Sequence, residues 1–188
     1  WWPGAQAFLR RSGHHFEVRT EHISDPLVVF PELRPGLRML AADGVVIEGT
    51  LLALDDAGRP GAGLLRRRLA GVANPDAIVE GAFVAADLLY VEGRSLTRQP
   101  FVERRSQLAS VLPDSEHVVV TRGLVGEGVT LGRAVASLGL DGISARRLDG
   151  RWRPGPAGDD WLRLRTAERP TLPPRPFLVL LEKLPLGD

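Results

Sequence analysis

Asp87 is the residue whose setting most demands a chemical explanation. It interrupts an apolar run, Phe83-Val84-Ala85-Ala86-Asp87-Leu88-Leu89-Tyr90-Val91. A carboxylate buried with such a strand needs a partner or a ligand. Arg163 and Arg165 alternate in Trp161-Leu162-Arg163-Leu164-Arg165, so on a strand they point the same way. With Arg146 they are the candidates for holding phosphate or DNA. An ion-pair network with Asp141, Asp87 and Glu48 is the competing reading. His14, His15 and His22 suggest a metal site only weakly. Adjacent histidines at a hairpin tip point to opposite faces, which favours a solvated turn. Arg66, Arg67 and Arg68 fan out around one helical turn, which favours a solvated face over a DNA patch.

These side chains need elements to position them. Ala7 to Thr20 reads as two strands around a Ser12-Gly13 turn. Pro31, Pro35 and Gly36 break up the next stretch, leaving a short helix over Leu37 to Leu40. After a turn at Ala42-Asp43-Gly44, Val45 to Leu54 reads as a strand buried on both faces. Leu64 to Gly71 reads as a helix closed by its glycine. The strand that carries Asp87 ends in an acidic turn, Glu92-Gly93-Arg94, and a charged amphipathic helix starts near Phe101. His117 to Gly123 reads as one strand, Val129 to Leu140 as a helix, and Asp141 to Leu148 and Trp161 to Thr166 as strands. Pro170, Pro173, Pro174 and Pro176 precede a final apolar strand or helix, Phe177 to Leu184. Strands with local turns and a few helices argue for an α+β fold built on antiparallel sheets.

Composition sets the outer limits. The 188 residues suffice for one domain with a real core. Hydrophobic content of 44% and charged content of 25% are those of an ordinary soluble globular chain. No apolar run reaches membrane-spanning length and no signal peptide is visible. The absence of cysteine excludes disulfides and thiolate metal sites, so a cytoplasmic protein is expected. A net charge of +1 does not predict strong nonspecific DNA binding. Of the 24 basic residues only Lys183 is a lysine. The chain begins at Trp1 rather than Met, which leads us to expect a missing upstream segment.

Ala82 to Arg105 resembles the adenylation (nucleotidyltransferase) domain of ATP-dependent DNA ligases, most closely the bacterial end-joining type. There the strand reads Phe-Asp-Leu-Leu-Tyr, followed by an acidic residue, Gly-Arg-Ser-Leu and a Pro-x-x-Glu-Arg-Arg helix. The resemblance extends through about Thr166 and implies an ATP-grasp-like nucleotidyltransferase fold on antiparallel sheets with flanking helices. It places 1–168 as an adenylation domain and 169–188 as a Pro-rich connection with a C-terminal strand or helix. It leaves no room after Asp188 for the family's oligonucleotide-binding domain.

In the family a Lys-Trp-Asp-Gly motif precedes the hairpin, and Phe-Pro-Glu-Leu closes that segment. Trp2-Pro3-Gly4 and Phe30-Pro31-Glu32-Leu33 match it here, which puts Trp1 at the nucleophilic lysine. That lysine attacks the α-phosphate of ATP through a lone pair, which indole does not offer. Arginine stays protonated and binds phosphate without attacking it. Lys183 lies beyond every matching motif and reads as a surface lysine. Thr20-Glu21-His22-Ile23 stands at the family's Ser-Arg-x-Gly, so Glu21 reverses the sugar-contacting charge. Glu48-Gly49-Thr50-Leu51 keeps an acid and a glycine but loses the second carboxylate at Thr50. Ala86 stands where the family stacks a phenylalanine on adenine, while Asp87 persists. Asp141 replaces a metal-binding glutamate. Arg146, Arg163 and Arg165 replace lysines.

Lost together, these groups imply a vestigial pocket with no catalytic residue and no bound metal or cofactor. The expected role is a catalytically inactive, ligase-like binding or scaffold module in DNA repair, with duplex DNA or a repair protein as partner. Trp1 and Trp2 then fill the emptied cavity. A working nucleotidyltransferase with a relocated or externally supplied lysine, using ATP and Mg, is the alternative. A noncatalytic nucleotide sensor is a third, permitted by Arg146 and Arg163 and opposed by Glu21 and Ala86.

Overall fold

The computed structural model describes residues 2–21, 23–70, 79–137, 142–155, 158–165 and 177–180, the last four by backbone alone. The chain falls into two compact units. The first comprises the described residues of Trp2–Leu96 and Arg104–Val120.

Its framework is a six-stranded sheet. β1 (Ala5–Ser12) and β2 (His15–Thr20) form the expected hairpin, with Gly13 at φ +59° in the turn. β3 (Val45–Leu54) and β4 (Glu80–Val91) pair antiparallel at its centre. The strand order is β2-β1-β3-β4-β5, where β5 is Arg94–Ser95. The turn from β4 into β5 uses Glu92 and Gly93 at φ 51° and 72°. β6 (Val118–Val120) adds to β4 in parallel, so the sheet is not purely antiparallel.

Three short helices belong to this unit: α1 (Pro26–Val29), α2 (Leu33–Arg38) and α3 (Ala62–Leu69). α2 starts four residues before the expected Leu37, because Pro35 falls within its first turn. There a missing N–H leaves no intrahelical bond unmade. α3 is capped at Ala70, and Gly71, the expected stop, lies outside the described residues. α4 (Phe101–Val111) begins where the sequence placed it. Leu9, Phe30, Leu33, Ile47, Phe83 and Leu108 are among the side chains that fill the core between this sheet and its helices.

The second unit comprises the described residues of Thr97–Glu103 and Thr121–Lys183. Its sheet has four strands in the order β7-β10-β8-β9: Gly123–Val125, Phe177–Leu180, Gly142–Arg147 and Trp161–Arg165. His117 to Gly123 is thus not one strand, since β6 and β7 belong to different sheets. β10 is paired on both sides, with β7 and β8, so the segment after the prolines is a sheet strand. α5 (Gly128–Ser137) packs Leu131 and Val135 against Ile143, Ala145, Leu162 and Leu164. The mixed α/β architecture matches the expected class. No helix among the described residues is long and apolar enough to cross a membrane.

Candidate functional site

β3 is buried almost throughout, and its register with β4 sets Glu48 opposite Asp87. Both carboxylates are almost wholly buried, at 3% and 0% exposure, which water cannot stabilise. Each carboxylate accepts hydrogen bonds from a side chain. Gln6 Nε2 donates to Glu48 Oε1 at 2.8 Å. Arg104 donates to both oxygens of Asp87, from Nε at 2.9 Å and from Nη2 at 2.7 Å. This bidentate pair is the partner that the apolar run demanded.

Arg104 itself was missed by sequence reasoning. It stands on α4 with Leu108 and Val111, at the spacing of an apolar helical stripe. An arginine in register with such a stripe was the available signal.

Glu48 faces Asp87 and Gly49 faces Ala85, so Ala86 has no opposite number and forms a β-bulge. The half-buried Ala86 methyl offers no aromatic face there. Gly49 permits the close approach of the two strands: a Cβ there would meet Val84 O at 2.5 Å and Phe83 Cζ at 2.6 Å. Thr50, half-buried, shares a side of β3 with Glu48, Leu52 and Leu54. Trp2 packs against the apolar cluster of Leu52, Leu54, Ala82 and Val84. Glu48, Thr50, Ala86 and Asp87 therefore come together at neighbouring register positions. Glu21 is exposed in the turn after β2. Trp1, His22, Asp141 and Lys183 lie outside the described residues.

In the second unit, alternation and register gather the arginines. Arg146 faces Trp161, Ser144 faces Arg163 and Gly142 faces Arg165, so these six positions share one side of the sheet. The opposite side carries the apolar residues against α5. Arg146 is buried, its guanidinium 3.8 Å from the Trp161 ring centroid and 5.4 Å from that of Phe101. Arg163 lies 5.5 Å from the same indole on its other neighbouring position and, like Arg165, is exposed. Arg146 thus spends its planar face on aromatics, while Arg163 and Arg165 present charge to solvent.

The Arg66-Arg67-Arg68 triplet is not one solvated face. Arg68 turns inward and donates to Val29 O at 2.8 Å and 3.1 Å, to Val79 O at 2.6 Å and to Glu32 at 3.2 Å. Its guanidinium also lies over the Phe30 ring. Arg66 and Arg67 are exposed. His14 and His15 are exposed at the hairpin. Among the described residues, no group of three or more His, Cys, Asp or Glu is placed to hold a metal ion.

The sequence model of the ATP dependent DNA ligase domain matches residues 2–165. A probable DNA ligase of Streptomyces avermitilis is 32% identical over 86% of this chain and 33% of its own length. The multifunctional non-homologous end joining protein LigD of Mycolicibacterium smegmatis is 26% identical over 86% of the chain and 20% of its own length. The chain spans about a third, or less, of the length of such relatives. Among solved structures, a mycobacterial DNA ligase D complexed with ATP and MES superposes with a TM-score of 0.70 at 26% identity. That likeness covers 88% of this chain and 52% of the other.

Proposed function

The chain belongs to the ATP dependent DNA ligase domain family, and from that premise we propose that it is a ligase-like domain without adenylyl transfer, acting as a binding or scaffold module in DNA end joining or repair. One observation carries the reading: the span 2–165 that matches the family contains no lysine. Enzyme-adenylate formation through a lysine needs an amine that can lose its proton and attack phosphorus. The guanidinium groups of this span hold their protons and offer no such lone pair.

The geometry supports the same view from a second direction. The bulge beside Asp87 presents the Ala86 methyl where a base-stacking ring is expected. Arg146 is packed between aromatic rings. The repair context follows from the names of the relatives. The exposed Arg163 and Arg165 suit a phosphate backbone better than a buried nucleotide.

The test is incubation with α-labelled ATP and magnesium or manganese, then denaturing separation, with Lys183→Ala run beside the parent chain. Absence of covalent label in both supports the reading. Covalent AMP on the parent chain overturns it, and loss of that label in the variant would identify Lys183 as a relocated nucleophile.

A further inference from the structure

β7 is an outermost strand of the second unit's sheet and pairs, among the described residues, with β10 alone. The sheet's other edge, β9, carries the exposed Arg163 and Arg165. In the first unit, β2 carries Glu17 and Arg19 and β5 carries Arg94, while the residues of β6 are buried or half-buried. Charge or cover of this kind keeps an edge from pairing with another chain. β7 has neither. It consists of Gly123, Leu124 and Val125, with Leu124 43% and Val125 56% exposed.

The ladder places these two side chains. Leu124 stands opposite position 179, which in turn stands opposite Ala145; Val125 stands opposite position 178, and that opposite Arg146. Opposite positions share a side of an antiparallel sheet, so Leu124 lies on the α5 side and Val125 on the Arg146 side. Val129, in the first turn of α5, adds a third exposed apolar side chain, at 64%, within six positions of sequence. A strand added at this edge would meet apolar contact on both of its faces. A Cβ at Gly126, just past the strand, would meet nothing within 4 Å, so the end of the edge is open.

The charges at the two ends of β7 decide what fits there. Arg122 precedes the strand and Glu127 follows it, and both are exposed. A second copy of β7 laid antiparallel sets the Arg122 end of each strand against the Glu127 end of the other. A parallel copy would set like charges together. A two-fold axis between antiparallel strands also keeps like faces together, so the α5 sides of the two copies match. The edge is complementary to itself, as a closed dimer requires. We propose that β7 is a self-association edge, at which two copies of this chain pair β7 against β7 and join two four-stranded sheets into one of eight strands. This goes beyond the proposed function and does not depend on whether adenylyl transfer is absent.

The test is sedimentation equilibrium of the full chain over a wide concentration range. Val125→Lys is run beside the parent, with Val28→Lys, at a still more exposed apolar position on α1, as the control. The parent should shift from one chain to two as concentration rises. Val125→Lys brings two like charges toward the axis and should raise the dimer dissociation constant by about tenfold or more. Val28→Lys should leave it unchanged. Hydrogen exchange on the parent gives a readout that needs no variant, since β7 backbone amides should exchange more slowly in the dimer than in the dilute monomer. A parent that remains a single chain at every concentration overturns the proposal. So does a dimer whose β7 amides exchange no more slowly than the monomer's, because its contact then lies elsewhere. Growth into larger species overturns it too, since a two-fold edge contact closes at two chains.

Discussion

Asp87 and Arg104, seventeen residues apart, meet in two parallel hydrogen bonds with side chains 0% and 3% exposed. The strand β4 supplies the acid and the helix α4 supplies the base, so the pair ties sheet to helix at one point. Removing either partner leaves the other buried without compensation, at a cost of about 3–5 kcal/mol. Asp87→Leu and Arg104→Met should each lower unfolding free energy by about that amount in denaturant titrations. Combining them should recover much of the loss, because two apolar side chains of similar volume replace the pair. Strictly additive losses in the double variant would show that the two groups do not depend on each other.

Arg68 should behave differently from its two neighbours in the triplet. Its fork reaches two backbone carbonyls and Glu32 at once, and Glu32 in turn accepts from Gly81 N at 2.7 Å. Hydrogen bonds to charged groups contribute about 1.5–3 kcal/mol each, discounted here because both side chains keep some solvent exposure. Arg68→Met should therefore cost about 2–4 kcal/mol. Arg68→Lys should rescue little, since an ammonium cannot span the same acceptors. Arg67→Gln should stay within about 0.5 kcal/mol of the parent. Equal effects at 67 and 68 in a urea melt would contradict this division.

The strands were legible because alternation and apolar runs are local properties of the sequence. β1, β2, β3 and β4 lie where their patterns placed them. That Asp87 needs a partner was equally legible; that the partner is Arg104 was not, because the pairing depends on how α4 lies against β4. The same limit explains Arg68, whose acceptors come from Val29 and Val79. Ala86 was read only by resemblance, as standing where the family carries an aromatic, and the bulge that holds it appears only when the β3–β4 register is known. β6 and β7 look like one strand because Thr121 and Arg122 give no break signal, while their pairing partners differ. Gly36 sits in α2 against Val118 side-chain atoms, where a Cβ would come within 2.8 Å, so packing and not propensity keeps that helix.

Two glycines should respond to alanine in opposite directions. Gly49→Ala places its Cβ 2.5 Å from the Val84 carbonyl, which is backbone and cannot swing away. Such overpacking costs about 1–3 kcal/mol, and here the upper end is expected. Gly63→Ala, within α3, meets only open space and a flexible guanidinium tip. It should raise stability by up to about 1 kcal/mol through helix propensity. Thermal melts of the two single variants suffice, and a stabilised Gly49→Ala would mean that β3 and β4 lie further apart.

Asp43 gives the pH prediction. The Gly44 backbone N–H, followed by that of Gly13, holds its carboxyl below the ordinary value of 3.8. The Gly13 N–H donates to Asp43 Oδ1 at 2.6 Å, joining the β1–β2 turn to the turn before β3. A carboxyl depressed in the folded state binds fewer protons there than in the unfolded chain, so it stabilises the fold at pH above the unfolded value. That contribution is lost as pH falls from about 4 down through the folded value. Asp55, lowered first by the Arg59 N–H, acts in the same sense and window. Asp43→Asn should therefore melt below the parent at pH 7, and the gap should close as pH drops from 5 toward 2. A gap that stays constant across that range would assign the loss to the altered turn geometry and not to the carboxylate charge.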